Sequence, residues 1–243
     1  MVHYLYDFLS TLGVIVLLLV FVFLLLGPAK KFYVVLLYVG WALFSNVALT
    51  IADFLYNAPA NDTPLGITPG QLTYAHLYWS NDVFLDLLQF LVVIVLTHKA
   101  TEGGANQKTV GRLLAGVFVA VMLLPFLIFH STFTPWPEPR WFSGTSQMLN
   151  FGAAIMNLVL WGTLIVSKRR DPLVLIVSAG LGVMVAGAAV SYGLRHMIPT
   201  GGPKWIPNLF LFLAQIGGWG IWCWAFRPLT KPREAPANAL PSH

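Results

Sequence analysis

The sequence predicts an all-α fold, an integral membrane bundle of seven transmembrane helices with the N-terminus outside and the C-terminus cytoplasmic. Three observations carry that expectation. Of 243 residues, 57% are apolar and only 9% are charged, where a soluble domain carries about 25% charged residues. Mean hydropathy is +0.74, and seven stretches reach the roughly 20 apolar residues that span a hydrocarbon core of about 30 Å. The basic residues, finally, fall in alternate loops. The net charge of +5 would suggest nucleic acid in a soluble protein; here it belongs to loops beside a lipid bilayer, and no nucleic-acid partner is expected.

The expected spans are, in order, 8–26, 32–55, 77–97, 113–130, 147–166, 172–194 and 206–226. The first, FLSTLGVIVLLLVFVFLLL, is apolar on every face and is expected at the bundle edge against lipid. MVHYLYD before it has no lysine or arginine and no small-residue cleavage site follows, so an uncleaved first helix is expected rather than a secretory signal. Pro and Gly cluster at 57–70, 134–144 and 199–203, as loops require. Pro125 is expected to kink the fourth helix. Residues 1–226 make one seven-helix domain, and 227–243, rich in proline and without apolar periodicity, read as a disordered cytoplasmic tail.

Orientation follows the lysines and arginines. Lys30, Lys31, Lys99, Lys108, Arg112, Lys168, Arg169, Arg170, Arg227, Lys231 and Arg233 lie in one set of loops; Arg140, Arg195 and Lys204 lie in the other. The richer set is the cytoplasmic one, in the inner (plasma) membrane. Tyr74, Tyr78, Trp79, Trp136, Trp141 and Trp205 form an aromatic belt on the opposite side.

Ionisable residues within spans are costly and usually face the bundle interior or a water-filled cavity. Asp82, Asp86 and Gln89 recur at i, i+4 and i+7, one stripe on the third helix. The second helix carries Asn46, Thr50 and Asp53; the fifth carries Gln147, Asn150 and Asn157; the sixth carries Gly187, Ser191 and Arg195; and the seventh carries Gln215. Together they predict an outward-facing polar cavity between helices 2, 3, 5, 6 and 7, with the inner half apolar and dry. Asp53, Asp82, Asp86, Gln89, Asn150, Asn157 and Arg195 are the candidate ligand-binding residues. Taken singly, the amides and hydroxyls also fit plain interhelical hydrogen bonding, and Arg195 also fits snorkelling to the interface. The two acids, one turn apart, need a compensating cation or a proton. Arg195 is the expected partner of Asp82; Asp86 is expected to hold a proton and to bond an amide such as Asn157 or Asn46.

Other chemistries find little support. His76, His130 and His196 fall at the outer ends of helices 3, 4 and 6 and could hold a metal, but none has the i, i+4 spacing of a preformed helical site, and interfacial histidine is the simpler reading. They lie at the rim, where haem between two helices would not be held. No lysine falls in the expected spans, so no retinal Schiff base is expected. One cysteine, Cys223, excludes a disulfide framework, and no nucleophile-elbow, zincin or phosphate-loop motif is present. The small residues Gly180, Gly182, Ala186 and Gly187 read as helix packing.

The segment YAHLYWSND at 74–82, leading into LDLLQF at 85–90, resembles small uncharacterised bacterial seven-helix membrane proteins, whose architecture is similar to the seven-helix sensor modules found ahead of kinase domains. The resemblance implies a sensor, yet only seventeen residues follow the last span, so a signal would pass to a separate membrane or cytoplasmic protein partner. A non-enzymatic receptor for a small ligand is therefore expected. A structural subunit of a membrane complex, a proton or solute transporter using Asp82 and Asp86, and a histidine-metal enzyme are the alternatives.

Overall fold

The protein is described by a computed structural model covering residues 2–56, 69–101, 107–128, 139–166, 171–198 and 205–228. Seven α-helices follow one another: α1 Val2–Leu26, α2 Tyr33–Tyr56, α3 Pro69–Ala100, α4 Gln107–Ile128, α5 Pro139–Val166, α6 Pro172–Met197 and α7 Trp205–Phe226. All seven are long and apolar enough to cross a membrane. Residues 229–243, which hold all but the first two residues of the expected tail, lie outside the described residues.

Several helices begin earlier than hydropathy predicts. α3 starts at Pro69 and α5 at Pro139, each about two turns ahead of its expected span. A hydropathy window registers only the lipid-length apolar centre, whereas GQLTYAHL and RWFSGTSQ are mixed polar and aromatic stretches that are still helical. Proline at a helix start is favourable because its missing N–H would have no intrahelical partner there. α6 shows the same device with a cap. The Asp171 side chain accepts from the Leu173 N–H at 3.1 Å, and Pro172 opens the helix. Asp171 also pairs with Lys31, tying the α1–α2 turn to the start of α6.

α1, α2, α3, α5, α6 and α7 pack in that order around a ring that α7 closes onto α1, with α3 and α6 also touching across it. α4 packs against α3 and α5 from outside the ring, and Leu114 and Pro125 are its buried residues. α1 keeps the broad outward face expected of it, with Phe8, Ile15, Leu18, Leu25 and Leu26 exposed, but it is also part of the ring. The helix predicted at the lipid edge seats Leu9, Leu17, Val20 and Leu24 in the core. Every face of α1 is apolar, so composition alone does not separate its buried stripe from its outer face; the outermost helix is α4.

The α6–α7 seam is the closest contact in the ring. A Cβ added at Gly187 would lie 2.0 Å from the Ala214 Cβ, and one at Gly180 would lie 2.6 Å from the Trp222 ring and 2.8 Å from the Gly218 carbonyl. Trp222, fully buried, donates its indole N–H to the Val177 carbonyl at 2.8 Å. Gly182 faces α5 instead, against the Asn157 amide. The small residues of α6 thus serve two neighbours.

Lys31, Lys99, Lys108, Arg112 and Arg227 lie at one end of the bundle, where α2, α4 and α6 begin. From there to mid-bundle the core is aliphatic and aromatic packing, built from Leu17, Val20, Leu24, Val35, Val39, Phe90, Val93, Val177, Leu181 and Trp222. Thr97 and Ser178, buried in the same region, bond carbonyls of their own helices.

Candidate polar cavity

Away from the basic end, the ring does not fill. A cavity of about 550 Å³ lies between α1, α2, α3, α6 and α7. α3 supplies its polar wall: Asn81, Asp82, Asp86 and Gln89 all line it, because residues three and four apart share a helix face. α2 adds Tyr38, Ser45 and Asn46; α6 adds Tyr192 and Arg195; α7 adds Asn208, Gln215 and Trp219; and α1 contributes Leu9, Ser10, Gly13 and Val14. On the seam between α1 and α2, Ser10, Val14 and Asn46 are exposed.

The acids do not form the expected ion pair. Arg195 donates to Asn208 Oδ1 at 2.7 Å and lies 5.1 Å from the centre of the Tyr192 ring. Tyr192 in turn donates its hydroxyl to Asp82 Oδ2 at 3.2 Å. A tyrosine therefore stands between the guanidinium and the carboxyl, with Arg195 left exposed at the rim. α3 and α6 are neighbours, as direct pairing required, but the aromatic side chain one turn before Arg195 occupies the gap.

Asp86 departs from expectation in its partners. Neither Asn157 nor Asn46 reaches it: Asn46 donates to the Ala42 carbonyl at 2.7 Å, and Asn157 is packed against Gly182. Ser146 and Asn150 of α5 lie beside Asp86, yet Asp86 Oδ2 and the Ser146 hydroxyl have no hydrogen-bond partner. Asn150 gives its N–H to the Ser146 carbonyl at 2.9 Å, within its own helix.

Three further buried polar atoms on the cavity wall have no hydrogen-bond partner: Gln89 Nε2, Gln215 Oε1 and Trp219 Nε1. Gln89 is only 2% exposed, and its carbonyl accepts a long bond from the Tyr38 hydroxyl at 3.4 Å. Buried polar groups are rarely left unpaired, since each costs about 1–3 kcal/mol. Asp86 has Ser146 and Asn150 beside it, and Trp219 has the Tyr38 hydroxyl beside it, so part of this polarity is met within the wall itself.

The structure thus brings Asp82, Asp86, Gln89 and Arg195 to one cavity. Asn150 and Asn157, both buried, lie on α5 outside its lining. The expected wall from helix 5 is supplied by α1. Asp53 is exposed near Tyr74 at the end of α2 and does not line the cavity. Residue spacing misses Tyr38, Tyr192 and Trp219, because aromatic residues count as apolar until their polar tips are placed. Lys99 and Lys108 fall within α3 and α4 at the basic end; among the described residues no lysine lines the cavity. His76 bonds the Leu72 carbonyl at 2.8 Å and packs against Trp79 and Phe142. His130 and the His196 side chain lie outside the described residues, and among those described no three His, Cys, Asp or Glu side chains cluster as metal ligands would.

No family model, curated protein or solved structure matches the chain. The geometry alone carries the functional reading.

Proposed function

We propose that the chain is a multi-pass plasma-membrane protein, N-terminus outside and C-terminus in the cytoplasm, that binds a small ligand from outside as a non-enzymatic receptor or sensor. The carrying observation is a cavity of about 550 Å³ whose wall holds two carboxyls, Asp82 and Asp86, together with Gln89, Gln215 and Trp219. That volume lies within the roughly 300–1,000 Å³ of small-molecule sites. The basic residues at the far end of the bundle support the orientation through the positive-inside rule. The apolar core between the cavity and that end favours binding over passage, since a transporter using Asp82 and Asp86 needs a polar route onward. A bound ligand would act on the helices that enclose it, and a separate protein partner at the basic end would read the change.

The test is a thermal-stability screen of the purified protein against small soluble molecules of all three charge classes, repeated on a plugged variant, Ala42→Trp, whose indole occupies the cavity. Stabilisation by at least one compound that the plug abolishes is expected. A screen in which every shift survives the plug contradicts the reading.

A further inference from the structure

We propose that the ligand is a small organic ammonium ion, a primary or secondary amine carrying a hydrogen-bond acceptor near its nitrogen; this rests on the ligand-site reading above. The wall chemistry selects for it. Two carboxyls, Asp82 and Asp86, face the cavity, and its one cationic side chain among the described residues, Arg195, sits at the rim held by Asn208 and the Tyr192 ring. Asp82 already receives the Tyr192 hydroxyl, and the Asp86 carboxyl lies one turn deeper, beside Ser146 and Asn150. An anion would meet two carboxyls, where an ammonium finds acceptors.

The number of acceptors fits as well. An ammonium carries several N–H donors and needs more than one acceptor once it leaves water. Asp82 and Asp86 on α3 and Gln215 on α7 line the cavity and carry such acceptors. Tyr38 and Trp219 line the same cavity, and an aromatic ring attracts a cation held within about 6 Å of its face. Gln89 and Trp219 add N–H donors to the same wall, and an acceptor beside the ammonium is the group that suits them.

Charge can be varied on one scaffold: 2-phenylethylamine, 2-phenylethanol and 3-phenylpropionate, each titrated by calorimetry and thermal shift into the full chain in detergent. The amine is expected to bind saturably and at least tenfold more tightly than either analogue, and 2-amino-1-phenylethanol, which adds an acceptor, more tightly still. Asp86→Asn should weaken the amine at least tenfold. Should that variant fail to fold, Gln215→Leu serves in its place, with a loss of about threefold or more. Equal or tighter binding of the alcohol or the acid, if the Ala42→Trp plug abolishes it, overturns the ammonium assignment and leaves the ligand site standing. An amine that does not bind at millimolar concentration, or whose binding survives both Asp86→Asn and the plug, also overturns it. Repeating the titration in nanodiscs with and without phosphatidylethanolamine separates the two sources of the same chemistry. Competition by that lipid assigns the site to a headgroup ammonium entering by the α1–α2 seam; no competition assigns it to a soluble amine.

Discussion

Gly187→Ala tests the packing that holds the cavity's far wall in place. The added Cβ would lie 2.0 Å from the Ala214 Cβ, against about 3.5–4.0 Å for carbon atoms in contact. α6 and α7 would have to part locally by about 1.5 Å or more, a distortion of the kind that costs about 1–3 kcal/mol in a packed core. The same measurement supplies its own control. The next atom that Cβ would meet is the Ala214 Cα at 3.5 Å, an ordinary contact, so Gly187→Ala combined with Ala214→Gly should recover most of the loss. Gly193 and Gly220, where an added Cβ meets nothing within 4 Å, provide the baseline. Alanine there should be neutral or stabilising by up to about 1 kcal/mol, since glycine is the poorer helix former. The assay is reversible or thermal unfolding in detergent, followed by tryptophan fluorescence. Gly187→Ala as stable as the parent, or a double variant no better than the single one, would refute the close α6–α7 approach.

Tyr192→Phe removes the hydroxyl that meets Asp82 and should cost about 0.6 kcal/mol, the average for hydrogen bonds between membrane helices, and no more than about 1.7 kcal/mol; a double-mutant cycle with Asp82→Asn should show coupling of that size, and additive losses would contradict the bond. At the basic end, partial burial works to raise the Asp171 carboxyl, but the Lys31 ammonium and the N–H groups of Leu173 and Val174 outweigh it and hold the group below the usual carboxylate range. A carboxyl lowered in this way stabilises the fold above its unfolded value of about 3.9 and loses that contribution as pH falls through the folded value. Asp171→Ala should therefore cost about 0.5–2 kcal/mol at neutral pH, as loss of a helix cap does, and the gap should close in unfolding experiments below about pH 4.

The spans are legible because lipid imposes a length and a composition on any helix that crosses it, and α3's polar stripe because the helical repeat puts Asp82, Asp86 and Gln89 on one face. What a single helix cannot show is which neighbour that face meets. α5 has a stripe as regular as that of α3, yet Asn150 closes onto its own Ser146 carbonyl and Asn157 packs against Gly182 of α6, so neither reaches the cavity. Chain order also misleads here: α4 follows α3, but α5 takes the ring position beside α3 and α4 is left outside. Spacing puts Arg195 at the cavity rim but does not identify its partner, since nothing in it says that Tyr192 stands in the gap.

Outward access to the cavity is open to direct measurement, because the chain has one cysteine, Cys223. In a Cys223→Ser background, Arg195→Cys places a thiol at the exposed rim of the cavity, and Lys30→Cys places one at the basic end. A membrane-impermeant maleimide added to intact cells should label position 195 and leave position 30 unmodified until the cells are opened, and a ligand that stabilises the protein should slow labelling at 195. Labelling of position 30 in intact cells, with position 195 protected, would contradict an outward-facing site.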